Sequence, residues 1–441
     1  MRIAALSLLG LALAGFGPRA AHAQTQASPD EVARLREELQ QLRQAMVVLE
    51  SRLDALQAAP PSAPPTTAAA PAPDLAPAPD VAPALPAPAA SDITTPSPQA
   101  AAGSKVFNPD IAAVGNFLGA AGKSPGGGEP SLEMHEAEVS FQAVVDPYAR
   151  ADFFLAFGPE GVDVEEAFIT FPTVPGGLLL KVGKMRTAFG KVDGMHNHVL
   201  PWTDRPLVTK NLVGGEEGLS DSGISISRLF PNSFVFLEAT GQVYRGASEV
   251  FQAPNRADLT YVGHLRAYRD LTENTNLDLG GSIAYGHNDS GPDQTTTLFG
   301  VDAAFRFRPL RRAIYQRLIL RSELVWSRRG QPTGPTSPPD PANAPGVTST
   351  FGTANAFGAY GTIEYQFARR WYAGGRFDWS ERADDASLRD KGGSLLLTWW
   401  PSEFSQIRGQ YRYTRFAEGR TANEFLFQFL FSIGAHGAHT F

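Results

Sequence analysis

The 441-residue chain contains no cysteine. Disulfide scaffolds, thiolate zinc sites, iron–sulfur clusters and cysteine nucleophiles are therefore excluded. A basic tract is also missing, and the formal charge is −7. Nucleic-acid binders need clustered Lys and Arg to displace counterions from phosphates, so no nucleic-acid partner is expected. Beyond the first two dozen residues, no apolar run reaches the roughly 20 residues that a spanning helix requires. There is no Gly-x-Ser-x-Gly elbow or phosphate-cradling loop, and no His stands in a pattern that would orient a Ser or Asp for hydrolysis. A non-enzymatic protein is expected. Hydrophobic residues at 43%, with 10% aromatics and 43 glycines, suit either soluble β-domains or an alternating membrane β-barrel.

Met1 and Arg2 open the chain, Ile3 to Gly17 is apolar, and Ala21-His22-Ala23 precedes Gln24. A basic start, an apolar centre and a small-residue end form an export signal over residues 1–23. Further on, apolar residues fall at Val32, Leu35, Leu39, Leu42, Met46, Leu49, Leu53 and Leu56, alternately three and four apart. This heptad seam predicts a periplasmic coiled coil within residues 24–57 that joins copies of the chain. Residues 60–98 hold 13 prolines among Ala, Ser, Thr and Asp. Such a composition cannot bury a core and favours extended polyproline geometry, giving a stiff Pro/Ala-rich linker over residues 58–104.

From residue 105 to 441 the period changes to that of strands. Phe425, Phe427, Phe429, Phe431 and Ile433 share one face, with Gln428 and Ser432 on the other. Phe299, Val301, Ala303, Phe305 and Phe307 alternate with Asp302 and Arg306, and Ile407, Tyr411 and Tyr413 alternate with Arg408 and Arg412. In a transmembrane barrel the apolar face meets lipid and the polar face lines the lumen. About 16 alternating segments can be counted, and the connections sort into short turns on one side and longer loops on the other. The expected fold class is all-β, a transmembrane antiparallel β-barrel of about 16 strands with a short N-terminal coiled-coil helix. Its setting is the bacterial outer membrane, with lipid as one partner. The C-terminal strand ending at Phe441 would be the signal read by the barrel-assembly machinery.

Asn108-Pro109-Asp110-Ile111, the stretch from Leu180 to Gly190 and the terminal Phe441 together resemble the Gram-negative outer-membrane porin superfamily, in particular its phosphate-selective branch. Gly194 to Pro206 is similar to a stretch in proteins labelled zinc-regulated TonB-dependent outer membrane receptors. That label implies a plug and a larger barrel, which this chain lacks, so energised transport is not carried over. The porin resemblance implies passive diffusion of ions and small solutes through a homotrimer. It also implies that the connection over residues 191–222 folds inward as a constriction.

On the polar face, basic residues outnumber acidic ones, which predicts a mild anion preference. The expected pore-lining residues are Lys184, Arg186, Arg266, Arg306, Arg408, Arg412, Glu136 and Glu138. Asp193, Asp204, Glu216 and Glu217 would carry the constriction's negative charge. His196 and His198, with Asp193 or Asp204, are candidate zinc ligands, because imidazole and carboxylate suit that ion; no other cofactor is expected. The competing function is a ligand- or metal-binding receptor, or an anchor linking outer membrane to cell wall.

Overall fold

The computed structural model describes residues 109–125, 130–159, 161–333 and 350–434. The expected export signal, coiled coil and linker lie outside the described residues, as do His436, His439 and Phe441. Strand periodicity is realised as β1 (Asp110–Lys123), β2 (Leu132–Asp146), β3 (Ala149–Gly158), β4 (Gly161–Val174) and β5 (Leu178–Arg186). After the longest described connection come β6 (Ser220–Phe230), β7 (Phe236–Tyr244), β8 (Thr260–Thr272), β9 (Thr275–His287) and β10 (Thr295–Phe307). The wall is completed by β11 (Arg317–Pro332), β12 (Phe351–Ala368), β13 (Trp371–Glu381), β14 (Arg389–Ser402), β15 (Ser405–Arg415) and β16 (Thr421–Gly434).

Each strand pairs antiparallel with its sequence neighbours, and β1 pairs with β16 from Ala112↔Gly434 to Lys123↔Asn423. The barrel is closed, so no strand edge is left with unpaired backbone groups. Each of the sixteen segments expected from alternation corresponds to one strand. Turns such as residues 147–148, 369–370 and 403–404 lie at one rim, while residues 187–219 and 245–259 leave from the other.

The two faces separate by parity. Phe377 is 61% exposed, and Ile363, Leu395, Tyr411, Phe425 and Ile433 are also exposed on the outer face. Asp278, Asp302, Arg376, Arg408, Gln410 and Gln428 are buried on the inner face. Large apolar side chains facing out and polar ones facing in reverse the arrangement of a water-soluble barrel and suit hydrocarbon.

Two expectations are corrected. The inward-folded segment spans residues 187–219 rather than 191–222, because β5 stops at Arg186 and Ser220 already pairs with it. Lys184 does not line the lumen. It stands opposite Ser222 in a register that places Lys181 opposite the buried Ser225, so Lys184 shares the outer face with Val182 and Ile224. Its ammonium meets exposed Asp163 at 3.3 Å. Met185, rather than Lys184, joins the apolar interior cluster. The apolar run at Leu178–Leu180 hides which parity is inward.

Placing a charge at the centre of β13's outer face, Phe377→Arg, is expected to destabilise the barrel in a bilayer by about 2–4 kcal/mol. Denaturant titration in lipid vesicles would measure it.

Candidate functional site: the lumen and the segment that crosses it

Residues 187–219 leave the rim of β5 and run through the interior. Phe189, Val192, Leu200, Trp202, Val208, Leu212 and Leu219 pack with Val262, Leu298, Val325, Ala356 and Tyr360 of the wall into one buried cluster. Apolar burial of this kind drives the segment out of water and into the lumen. Trp202 meets Tyr360 edge-on, with ring centroids 5.3 Å apart, and Arg376 lies over the Trp202 ring at 5.1 Å.

Polar contacts fix its path. Ala188 N–H donates to Gln242 of β7 (2.7 Å) and Gly190 N–H to Ser282 of β9 (2.9 Å). The N–H groups of Lys191 and Val192 both donate to Glu323 of β11, at 2.6 and 2.8 Å. Gly190 has φ +64°, which glycine adopts without strain, and a Cβ there would sit 2.9 Å from an oxygen of the Glu323 carboxylate that the next two N–H groups hold. The Lys191 ammonium reaches Asp278 (3.2 Å) and Asp302 (3.0 Å). Thr203 N–H donates to Gln410 of β15 (2.9 Å), Leu207 N–H to Asp378 of β13 (3.2 Å) and the Asn211 amide to Asp390 of β14 (3.0 Å).

Asp204 is the strongest latch. Arg376 of β13 and Arg412 of β15 each donate to it at 2.9 Å, and the Gln410 amide does so at 2.5 Å. Burial alone would raise its pKa, but the two guanidiniums, Lys210 and Gln410 hold this carboxyl well below the usual range. Asp193 binds the Thr187 hydroxyl and the Leu219 N–H (2.6 Å), closing the two ends of the segment onto each other. Burial pushes Asp193 up to about 6, against those hydrogen bonds and Arg205. Arg205 is 1% exposed and stitches the segment to itself through the carbonyls of Val192, Met195 and Glu216.

The expected lining residues divide. Arg266 pairs with Asp278 of β9 (2.9 Å), and Arg306 lies 3.7 Å from the same carboxylate. Arg412 pairs with Glu424 (2.6 Å) as well as Asp204. Arg408 binds Thr398, Gln428 and the Leu200 carbonyl, and has no ion-pair partner among the described residues. Arg186, at the end of β5, is buried against Glu165 (3.2 Å) and the Glu217 carbonyl (2.6 Å). Glu216 is exposed and pairs with Lys210 (2.5 Å), while Glu217 also approaches Arg186 (3.6 Å). Neither carboxylate stands free as a constriction charge.

His196 and His198 come together, but not with Asp193 or Asp204. Their companions are Glu136 and Glu138 of β2 and Glu165 and Glu166 of β4. Glu136 and Glu138 are two apart and share the inner face. Glu165 is the extra residue of a bulge, since Phe154 opposes Glu166 while Leu155 opposes Val164. That bulge lets two successive glutamates turn inward. The acidic set missed from sequence, Glu165, Glu166, Asp278, Asp390 and Glu424, offsets much of the expected basic excess.

No protein-family model matches the chain. An uncharacterized protein of Aquifex aeolicus is 29% identical over 347 residues, 70% of this chain and 70% of that protein. One from Caulobacter vibrioides is 32% identical over 183 residues, covering 38% of this chain and 36% of its own length. Among solved structures, the anion-selective porin from Comamonas acidovorans aligns with a TM-score of 0.49 at 9% identity, over 74% of this chain and 99% of that one. The outer membrane channel DcaP of Acinetobacter baumannii gives 0.47 at 12% identity, over 74% and 96%.

Asp204→Ala should loosen the crossing segment by up to about 3 kcal/mol, the low end for breaking a buried pair, because Arg376 keeps Asp378 and Arg412 keeps Glu424. The expected sign is a larger, noisier single-channel conductance. The Asp204 latch is fully present above its unfolded value of about 3.9 and is lost only as pH falls through its lower folded value. Asp193 acts oppositely, favouring the fold as pH falls through about 6. Neither opens the segment in mild acid, so in bilayer recordings of chelator-treated protein these two carboxylates should leave conductance level from pH 7 to about 4.

Proposed function

We propose that the chain is an outer-membrane channel for passive diffusion of ions and small solutes, narrowed by residues 187–219. The observation that carries this reading is a closed sixteen-strand wall with an apolar outside and a charged inside, crossed by one latched segment. A mild anion preference belongs to it. Arg317, Arg321 and Arg408 face inward with no ion-pair partner among the described residues and Asp204, Asp278, Asp302 and Asp378 are each committed to a cation, while the glutamates that lack an Arg or Lys partner at β2 and β4, Glu136, Glu138 and Glu166, are gathered at the histidines of the crossing segment. The sign of uncompensated charge in a narrow, desolvated passage sets which ions enter. The likeness at Leu180 to Gly190 makes phosphate a natural solute to try.

Trimer assembly is part of the proposal. On the outer face, Gly361, Gly375 and Gly393 floor a groove of about 750 Å³ walled by Phe377, Leu395 and Tyr411, a surface another subunit or lipid could fill. Export, the periplasmic coil and assembly through the last strand complete the picture as sequence expectations. The number of wall strands that hold the crossing segment favours a second reading, a barrel closed by it that serves as a receptor or anchor.

Planar-bilayer recording of the full chain in a salt gradient separates the two. Stepwise currents in threes with an anion-directed reversal potential are expected, and Arg321→Ala with Arg408→Ala should move that potential toward zero. Cation preference would overturn the selectivity. Silence from folded, heat-modifiable protein would favour the closed barrel.

A further inference from the structure

Where β2 and β4 meet the crossing segment, the interior carries an excess of buried negative charge. Glu136, Glu138, Glu165 and Glu166 converge there, and among the described residues Arg186 is the one Arg or Lys that pairs with any of them, through Glu165. Into this cluster the segment inserts His196 and His198, held as neighbours by a single 3-10 turn at Asn197–Val199, with ring centroids 5.7 Å apart. Phe154 of β3 packs against the His196 ring at 5.2 Å and fixes its plane.

The contacts are those of a ligand set. The His196 Nδ1 lies 2.8 Å from a Glu138 oxygen and also against a Glu165 oxygen, while its Nε2 lies 2.8 Å from Glu166. The His198 Nδ1 is 3.6 Å from Glu138 and 3.9 Å from Glu136. One nitrogen bears one proton and cannot donate to two carboxylates. Glu136, 4% exposed, keeps a buried carboxylate oxygen with no hydrogen-bond partner among the described residues, directed at His198. Burying carboxylates without matching charge is costly, and a coordinated cation removes that cost.

We infer that this cluster is a divalent transition-metal site, of the zinc class, with His196, His198 and Glu138 as its first ligands and Glu136 or Glu165 completing the set. One ligand atom from each of Glu138, His196 and His198, and likewise one each from Glu136, Glu138 and Glu165, lie within 4.8 Å of one another. Tetrahedral ligands at about 2.1 Å from zinc stand about 3.4 Å apart, so small rotamer adjustments close the shell. Neutral imidazole with carboxylate selects zinc-like ions over calcium or magnesium, which prefer all-oxygen shells. The metal fastens the segment to β2 and β4, across the β1–β16 seam from the Asp204 latch on β13 and β15. The inference goes beyond the channel reading and does not need the pore to conduct, so the two can fail separately.

The test is calorimetric titration of the folded full chain, stripped with chelator, with zinc chloride at neutral pH. One zinc per chain is expected, with a raised unfolding temperature. His198→Ala and Glu138→Gln should each weaken binding by at least about tenfold, the least expected when even outer-shell partners cost that much. His287→Ala, at the rim of β9, and the double change His436→Ala with His439→Ala should leave it unchanged. No binding by folded protein, or binding unaffected by the cluster variants, would overturn the site. Where a variant does not fold, cobalt substitution of the wild type decides: intense tetrahedral visible absorption supports the site, and the weak spectrum of hydrated cobalt overturns it.

Discussion

Closure of the sheet is the constraint on which everything else rests. Once β1 pairs with β16, every described strand has two neighbours, and the wall has an inside and an outside but no edge. Side-chain parity then has only two destinations. Phe425, Phe431 and Ile433 go out, and Gln428, Leu430 and Ser432 go in.

Many polar groups on the inner face of the wall find partners on the crossing segment. Its backbone N–H groups go to Glu323, Asp378, Gln242 and Gln410, its Asp204 goes to Arg376 and Arg412, and its Lys191 goes to Asp278 and Asp302. Charges withdrawn from water need such partners, because an unpaired ion in the interior costs several kcal/mol even after relaxation. The segment is therefore part of the folded core, with its own apolar cluster around Trp202 and Leu212, and not a surface loop. Its anchors flank the β1–β16 seam: Asp204 with β13 and β15, and the histidines with β2 and β4.

Much of the wall is legible in the amino-acid sequence. Strand number follows from alternation because each strand exposes one face to an apolar surround and one to a polar interior, and the same parity puts Arg408, Arg412, Arg306 and Arg266 on the inner face. Alternation gives no signal at β5, where Leu178, Leu179 and Leu180 run together and Lys184 faces outward. Glu165 and Glu166 are invisible as a pair, since adjacent residues in a regular strand point to opposite faces and only the bulge redirects one of them.

Sequence alone determined the class of wall, its strand number and the sorting of most side chains, because these depend on the two-residue period and on local turn chemistry. The partners of the crossing segment were decided by tertiary structure. Asp204 meets Arg376 and Arg412 across separations of 172 and 208 residues. His196 meets Glu138 and Glu166 rather than the nearer Asp193 or Asp204. Nothing in local periodicity encodes such pairings; they are fixed only when closure brings distant strands around one lumen and buried charge must find its complement.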